Sequence, residues 1–388
     1  MLSTISQGSA AAAPRSPRRR LLLFGGPLAS LLLFCGLFFG LSWLVTPEPE
    51  VSVSEAVAVT KLEGRDVVVA AYSRSSSRGM FQLMFQPMFQ TRLAAVDADT
   101  GEHVWDVRLD ERVSNDVRVL AAGKGRVYVA GRDGLHIRSL ADGSAVAQPD
   151  VIEGLGDEYV PELGAYDVDT QRGHVVTIDQ SGELWQIPIG EDAAEPADQS
   201  TTSTWGPVLA DDFRFALDLP DYANAARVDA GTTIASQPIS TGALKDRLEL
   251  SNDSGVQTLG DLEFFEARFV LDGGRSQAAA ERDRPEDGIT ELAAGSGSGY
   301  VIVVSATNAA GSGYRVDTVD LSIGAVLGTA GLEVGYTVGG GYSGENLVAF
   351  AVASADRSHG KGIIMVVPPD GSIRAFPIGA TNFFGWPQ

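Results

Sequence analysis

Cysteine is almost absent from this chain of 388 residues, and the single one, Cys35, lies inside a hydrophobic segment. The remainder of the chain therefore contains no disulfide and no thiolate metal site. The four histidines, at positions 103, 136, 174 and 359, lack the spacing of a zinc-binding motif. The sequence also lacks a G-x-S-x-G nucleophile motif and a glycine-rich phosphate loop. A zinc hydrolase and a serine hydrolase of that type have no support in the sequence.

Basic residues are distributed unevenly. The first 46 residues contain four arginines and no acid, whereas the remainder holds all 50 acidic residues against 25 basic ones, a formal charge of about −25. A surface of this charge repels phosphate backbones. The sequence therefore predicts no nucleic-acid partner and leaves cationic partners, divalent ions and basic proteins open.

Formal charge is absent from Leu21 through Val45, a run of 25 residues rich in Leu and Phe. That length crosses a hydrocarbon core of ~30 Å. The four arginines precede the run and Glu48 follows it, so the positive-inside rule places the N-terminus in the cytoplasm. The sequence predicts a cytoplasmic tail (residues 1–20), an uncleaved single-pass transmembrane helix in the cell membrane (21–45) and an extracytoplasmic domain (46–388). A cleaved signal peptide remains an alternative.

After residue 47, short β-branched runs alternate with Gly, Asp and Ser, and helical periodicity is almost absent. This pattern predicts an all-β domain. The predicted strands are 66–72, 92–97, 103–109, 126–130, 135–140, 174–179, 183–188, 299–305, 315–320, 347–353, 362–367 and 372–377.

A turn motif recurs along the domain. A strand ends in a small acidic turn closed by a glycine, and these glycines lie 42 residues apart between Gly101 and Gly143, 39 from there to Gly182, and 47 between Gly324 and Gly371. The aspartate caps the turn through side-chain-to-backbone bonds, and glycine supplies the positive φ. Spacing of this size is typical of four-stranded propeller blades.

The first copy resembles the tryptophan-docking motif of quinoprotein-type β-propellers. The matching residues are Ala95, Asp97, Thr100, Gly101 and Trp105. The resemblance implies that Trp105 packs between neighbouring blades while the turn orients the hairpin. Catalytic members of that family use a vicinal cysteine pair and a calcium site, and Cys35 alone cannot supply the pair. The resemblance therefore implies a non-catalytic member without a cofactor.

At about 42 residues per blade, the domain accommodates seven or eight blades. Residues 51–60 could supply a strand that closes the ring with the last blade, which would remove exposed strand edges. Two β-sandwiches are the alternative fold. Residues 191–204 and 273–287 lack strand patterning and are predicted to be surface loops.

A Met-Phe-Gln triplet occurs three times, starting at Met80, Met84 and Met88. Read as an extended strand, the segment places Phe81, Phe85 and Phe89 on one face. We expect that face to contact a protein partner. Binding of Cu(I) by the methionine thioethers is the alternative.

These observations favour a non-enzymatic protein-binding or scaffolding module of the cell envelope, with no metal or cofactor. Two alternatives remain. One is an envelope hydrolase or lyase that uses carboxylates in the propeller channel, and the other is a ligand sensor that signals through the short tail.

Overall fold

The computed structural model describes residues 17–75, 77–111, 117–211, 222–229, 231–241, 244–271, 299–311, 313–332, 336–338, 342–344, 347–354 and 362–387. Three α-helices lie in these ranges: α1 (Pro17–Val45), α2 (Gly79–Phe85) and α3 (Gln199–Asp211). Single 3₁₀ turns occur at Pro149–Val151, Gly156–Glu158 and Leu163–Ala165.

Among the residues that the structure describes, no helix combines the length and the hydropathy that crossing a membrane requires. The transmembrane helix predicted at residues 21–45 is therefore not found by the structure. The helix in this region, α1, begins four residues earlier than predicted and ends at Val45.

Antiparallel sheets form the rest of the described chain, and most of their strands follow one another as meanders. The first sheet contains β1 to β4: Glu50–Leu62, Arg65–Ser75, Phe89–Asp97 and His103–Asp110. The second contains β5 to β8: Arg118–Gly123, Arg126–Gly131, Gly134–Ser139 and Ala145–Ala147. The third contains β9 to β12: Tyr166–Asp169, His174–Ile178, Leu184–Pro188 and Glu195–Pro196.

The fourth sheet is the largest, with nine strands, β13 to β21: Tyr222–Ala223, Ala225–Asp229, Thr232–Pro238, Lys245–Asn252, Gly255–Thr258, Phe264–Val270, Tyr300–Ala306, Tyr314–Asp320 and Val326–Leu332. The fifth contains β22 to β26: Tyr336–Val338, Tyr342–Ser343, Val348–Ser354, Gly362–Val367 and Arg374–Ile378.

Apolar clusters join the sheets face to face. Buried Val, Ala and Leu side chains connect the first sheet with the second on one side and with the fifth on the other. Further clusters connect the second sheet with the third, and the fourth with the fifth. Consecutive packing of antiparallel sheets, with the first against the last, is β-propeller architecture.

Four sequence predictions need correction or stay open. The described chain is mostly β, as predicted, but seven or eight blades are not confirmed, because the nine described strands between Tyr222 and Leu332 belong to one sheet. The strand predicted at 51–60 pairs with β2 and closes the ring by side-chain packing rather than by pairing with the last sheet. The predicted loop 191–204 contains β12 and the start of α3, because Asp198 caps that helix by accepting a bond from Thr201 N at 2.6 Å. Residues 273–287 lie outside the described residues.

Candidate functional site

The C-terminal end of α1 is fixed to the propeller by polar contacts. The Arg78 guanidinium lies 4.1 Å above the Trp43 ring and its Nε donates to Trp43 O at 3.3 Å. Arg78 Nη1 also lies 3.1 Å from a Glu48 carboxylate oxygen. Two residues after Arg78, Met80 N donates to Ser42 Oγ at 3.0 Å. Hydrogen bonds between backbone and side-chain groups thus join the last turn of α1 to the start of α2.

Gly79 explains why the two helices approach so closely. It has φ +78°, and a Cβ at this position would lie 2.8 Å from the Trp43 backbone. Both the left-handed backbone and the lack of space require glycine. A side chain here would push α1 away from the propeller.

An aromatic cluster fills the space between the helices and the C-terminal segment 379–387. Phe81 is at its centre, with ring centroids 5.8 Å from Phe39, 4.9 Å from Phe85 and 5.2 Å from Phe383. Trp43 lies 6.2 Å from Phe383. Edge-to-face and tilted pairs of this kind each stabilise the contact by about 0.5–1.5 kcal/mol beyond area burial. The cluster therefore joins α1, α2 and the C-terminal segment into one unit.

Gln82 connects α2 to the C-terminal segment. Its side chain is only 1% exposed, its Nε2 donates to Asn382 O at 2.8 Å, and its Oε1 accepts from Arg78 N at 3.0 Å. A buried side-chain amide whose oxygen and nitrogen are both hydrogen-bonded fixes the position of the segment that carries Phe383 and Phe384.

The predicted partner-contact residues are not equivalent in the structure. The segment around Phe81 and Phe85 is the helix α2 and not the extended strand that the sequence reading assumed. The period of four in the triplets fits the helical repeat, so Phe81 and Phe85 stack one turn apart. Phe81 is half-buried in the cluster, whereas Phe85 is 62% exposed and Phe89, at the start of β3, is 47% exposed.

The turn with the docking motif is closed by Asp97. Its Oδ1 accepts bonds from Asp99 N, Thr100 N and Thr100 Oγ1 at 3.0, 2.9 and 3.1 Å. Burial opposes the charge, but these donors hold the pKa of Asp97 below its ordinary value. Gly101 closes the turn with φ +75°. Ala95, two residues before the aspartate in β3, is fully buried between the first and second sheets.

Trp105 lies between the first and second sheets. Its Nε1 donates to Leu140 O at 2.7 Å, and its ring covers Gly143, where a Cβ would lie 2.8 Å from the ring edge. The same pairing of an apolar side chain with a turn glycine recurs twice. A Cβ on Gly101 would lie 2.2 Å from the Phe376 ring, and one on Gly371 would lie 2.5 Å from Leu327. Side chains of the fourth, fifth and first sheets thus each cover a turn of the next sheet.

A buried polar network lies on the face of the first sheet that meets the fifth. The Asp106 carboxylate accepts from Tyr72 OH at 2.5 Å and from Arg92 Nε at 2.7 Å. Burial, reinforced by Asp106, raises the pKa of Tyr72 well above its ordinary value. Burial lowers the pKa of the neighbouring Arg74, which is 2% exposed. The network thus places two guanidinium groups near one carboxylate, and only that of Arg92 is paired with it.

The buried Asp167 and the half-buried Arg118 are a second polar pair. They lie on the first strands of the third and second sheets, with Asp167 Oδ1 3.6 Å from Arg118 Nη2. Burial raises the pKa of Asp167, against the lowering effect of Arg118. Within the described residues, no group of three or more His, Cys, Asp or Glu side chains has a geometry that could hold a metal ion.

A small cavity of about 20 Å³ beside the first sheet is lined by Ser52, Ser54, Ser73 and Thr91, among others. That volume holds about one water molecule. It is too small for a substrate.

Sequence reasoning missed the residues that join the helices to the propeller. Arg78 and Gln82 lie four residues apart, but Phe383 follows Gln82 by 301 residues, and only the fold brings it to them. One signal could have pointed to the C-terminal segment: residues 375–388 contain three aromatic side chains after Phe376 and no formal charge.

No protein-family model matches the chain, and no curated protein matches its sequence. Solved structures do match. The AtxE2 isopeptidase aligns with 8% identity and a TM-score of 0.45 over 85% of this chain and 52% of that protein, so the chain spans about half its length. A quinoprotein alcohol dehydrogenase-like protein from Bacteroides thetaiotaomicron aligns with 12% identity and a TM-score of 0.26, over 83% of this chain and 66% of that one. The β-propeller domain of the Trilobed protease from Pyrococcus furiosus aligns with 8% identity and a TM-score of 0.33, over 82% of this chain and 94% of that domain.

Proposed function

We propose that the chain is a membrane-tethered, extracytoplasmic β-propeller that acts as a protein-binding or scaffolding module. The single observation that carries this proposal is the junction of α1 with the propeller. Helix α1 does not end in a loose linker, because Arg78 and the aromatic cluster hold its last turn, and Gln82 bonds the adjoining α2 to the C-terminal segment. A tether fixed in this way sets the orientation of the propeller relative to whatever surrounds the helix.

The membrane part of the proposal is supported by the sequence. The uncharged run 21–45 follows four arginines, and the positive-inside rule places residues 46–388 outside the cytoplasm. The propeller would therefore face the extracytoplasmic space.

The charge of the propeller indicates the chemistry of its partner. The formal charge of about −25 after residue 46 favours a basic protein surface. Several solvent-exposed turns carry carboxylates that could meet such a surface, for example Glu102 and Asp142. Association with this partner should weaken as the salt concentration rises.

The experiment expresses the full chain in cells and separates membranes before and after alkaline carbonate treatment. We expect the chain to remain with the membranes after this treatment. Carbodiimide coupling in intact membranes, which joins carboxylates to amines without a spacer, should then give discrete products heavier than the chain. Release by carbonate would contradict the tether, and monomer alone after coupling would contradict the binding module.

An envelope hydrolase or lyase is the second candidate, and one observation favours it. Asp167 is a buried carboxyl with a raised pKa beside a cation, the kind of group that enzymes use as an acid or base. If the propeller is such an enzyme, Asp167→Asn should abolish turnover of glycan or peptide substrates without loss of folding. The scaffolding proposal predicts no turnover in either protein.

A further inference from the structure

An exposed apolar surface surrounds the place where α1 meets the propeller. We call it the apolar collar, and it consists of Met84, Phe85, Met88, Phe89, Phe384 and Trp386. These side chains are between 47% and 63% exposed. Scattered apolar side chains on a surface are ordinary, but a group of this size at one place marks an interaction site.

The collar belongs to two segments that carry no charge. Residues 79–91 and 375–388 contain no acidic or basic residue, in a domain that holds 50 acids. Arg78 and Arg92 flank the first segment, and both are engaged, with Trp43 and with Asp106. The collar is therefore uncharged while the remainder of the propeller is acidic.

The last two turns of α1 lie beside the collar, and the side of these turns that faces away from the aromatic cluster is also apolar and exposed. Leu37, Leu41 and Leu44, on the last two turns of the helix, are between 53% and 67% exposed. Contacts from Phe39 and Trp43 to the aromatic cluster hold these turns beside the collar. Whatever medium covers the end of α1 also meets the collar.

We infer that the collar inserts into the interfacial layer of the lipid bilayer and seats the base of the propeller on the membrane. This inference rests on the membrane tether of the proposed function. Phenylalanine, methionine and tryptophan suit this layer because their apolar bodies enter the acyl boundary while the indole N–H stays with the headgroups. Because the collar is uncharged, seating through it places no acidic side chain of these two segments against anionic headgroups.

The test uses the full chain in vesicles of phosphatidylcholine and phosphatidylglycerol, with and without brominated acyl chains. In a Cys35→Ser background, a single cysteine is introduced by Met84→Cys or Trp386→Cys and labelled with an environment-sensitive nitrobenzoxadiazole dye. Matched controls are Val256→Cys and Ile323→Cys, because Val256 is 65% exposed and Ile323 is 68% exposed, and neither belongs to the collar.

We expect a blue-shifted emission and about two-fold or stronger quenching by brominated lipid at both collar positions, and neither effect at the controls. Vesicle flotation separates the two proposals. A chain that fails to float with vesicles contradicts the tether itself. A chain that floats but whose collar labels behave like the controls contradicts the collar inference alone.

A second variant tests whether the junction positions the collar. Gly79→Ala should separate α1 from α2 and reduce the quenching at position 84, whereas Gly64→Ala should not, because Gly64 has a similar φ of +82° and open space around it. Equal quenching in both variants overturns the proposed positioning. Collar labels that are shielded from aqueous iodide in cell envelopes, yet insensitive to brominated lipid in vesicles, would indicate a protein partner and overturn the inference.

Discussion

Substitution of Gly101 measures how strongly neighbouring sheets depend on turn docking. Gly101→Ala adds a methyl group at φ +75° and 2.2 Å from the Phe376 ring. Gly182→Ala is the matched control, because Gly182 closes the same kind of aspartate turn at φ +87° with no atom within 4 Å of the added methyl. Both variants carry the free-energy cost of the positive φ, and only Gly101→Ala also carries the clash with the Phe376 ring.

The expected magnitudes differ accordingly. The positive φ alone should reduce the free energy of unfolding by about 1–2 kcal/mol in both variants. Overpacking against Phe376 should add about 1–3 kcal/mol in Gly101→Ala. Because Phe376 is half-buried and can move, we expect the added loss in the free energy of unfolding to lie in the lower part of that range. Phe376→Ala in the Gly101→Ala background should remove the excess, as a double-mutant cycle would measure.

The assay is urea unfolding of the full chain in detergent, followed by tryptophan fluorescence, with midpoints compared at equal slope. Equal midpoints for Gly101→Ala and Gly182→Ala would refute the docking account of this interface. A clash that persists after Phe376→Ala would also refute it.

Three further predictions concern the sheet interfaces and turns. Trp105→Phe keeps the ring but leaves Leu140 O without its donor, and we expect a loss of about 1–3 kcal/mol in the free energy of unfolding by urea titration. Asp106→Asn leaves the Arg92 guanidinium buried without a counter-charge, so we expect a loss of about 3–5 kcal/mol in the same assay. In the exposed turns, bonds from Ser322 and its backbone hold the pKa of Asp320 below its ordinary value of 3.8. The lower pKa in the folded state means that this contribution to stability is present above that value and is lost as the pH falls below it, so Asp320→Asn should flatten the acid dependence of the urea midpoint.

Each of these predictions has a contradicting outcome. Trp105→Phe at the wild-type midpoint would show that the indole bond is unimportant. An unchanged free energy of unfolding in Asp106→Asn would show that Arg92 finds another partner. The double variant Arg92→Met with Asp106→Leu would then also be expected to leave the free energy of unfolding unchanged. An unchanged acid slope in Asp320→Asn would show that the turn carboxylates do not govern acid unfolding.

The strands could be predicted from the sequence because their information is local. Turn aspartates and glycines end each hairpin, and β-branched residues fill the runs between them, so strands such as Arg65–Ser75 and Gly362–Val367 lie where the pattern places them. The docking glycines are also visible locally, because each closes a turn that contains an aspartate: Gly101 follows Asp97, Gly143 follows Asp142 and Gly371 follows Asp370. Their covering side chains, such as Phe376 and Leu327, come from other sheets and are not visible in the pattern.

The candidate site was largely hidden for the same reason. The sequence pattern of the Met-Phe-Gln segment predicts a strand, but contacts with Ser42 and with Phe383 of the C-terminal segment stabilise the short helix α2 in its place. A helix of seven residues is not stable through local propensity alone. Helix α3 was missed because its Ser- and Thr-rich start resembles a loop, although Trp205 is buried and bonded to Asp169. Tertiary contacts decided both elements.

Sidedness of the propeller is the most direct test of a membrane-tethered extracytoplasmic module. In the Cys35→Ser background, Ile323→Cys places one exposed thiol on the propeller, and Ser3→Cys places one in the N-terminal tail. A membrane-impermeant maleimide is applied to intact cells and to permeabilised cells. The account predicts labelling of Ile323→Cys in intact cells and of Ser3→Cys only after permeabilisation. Labelling of Ile323→Cys that requires permeabilisation would contradict it.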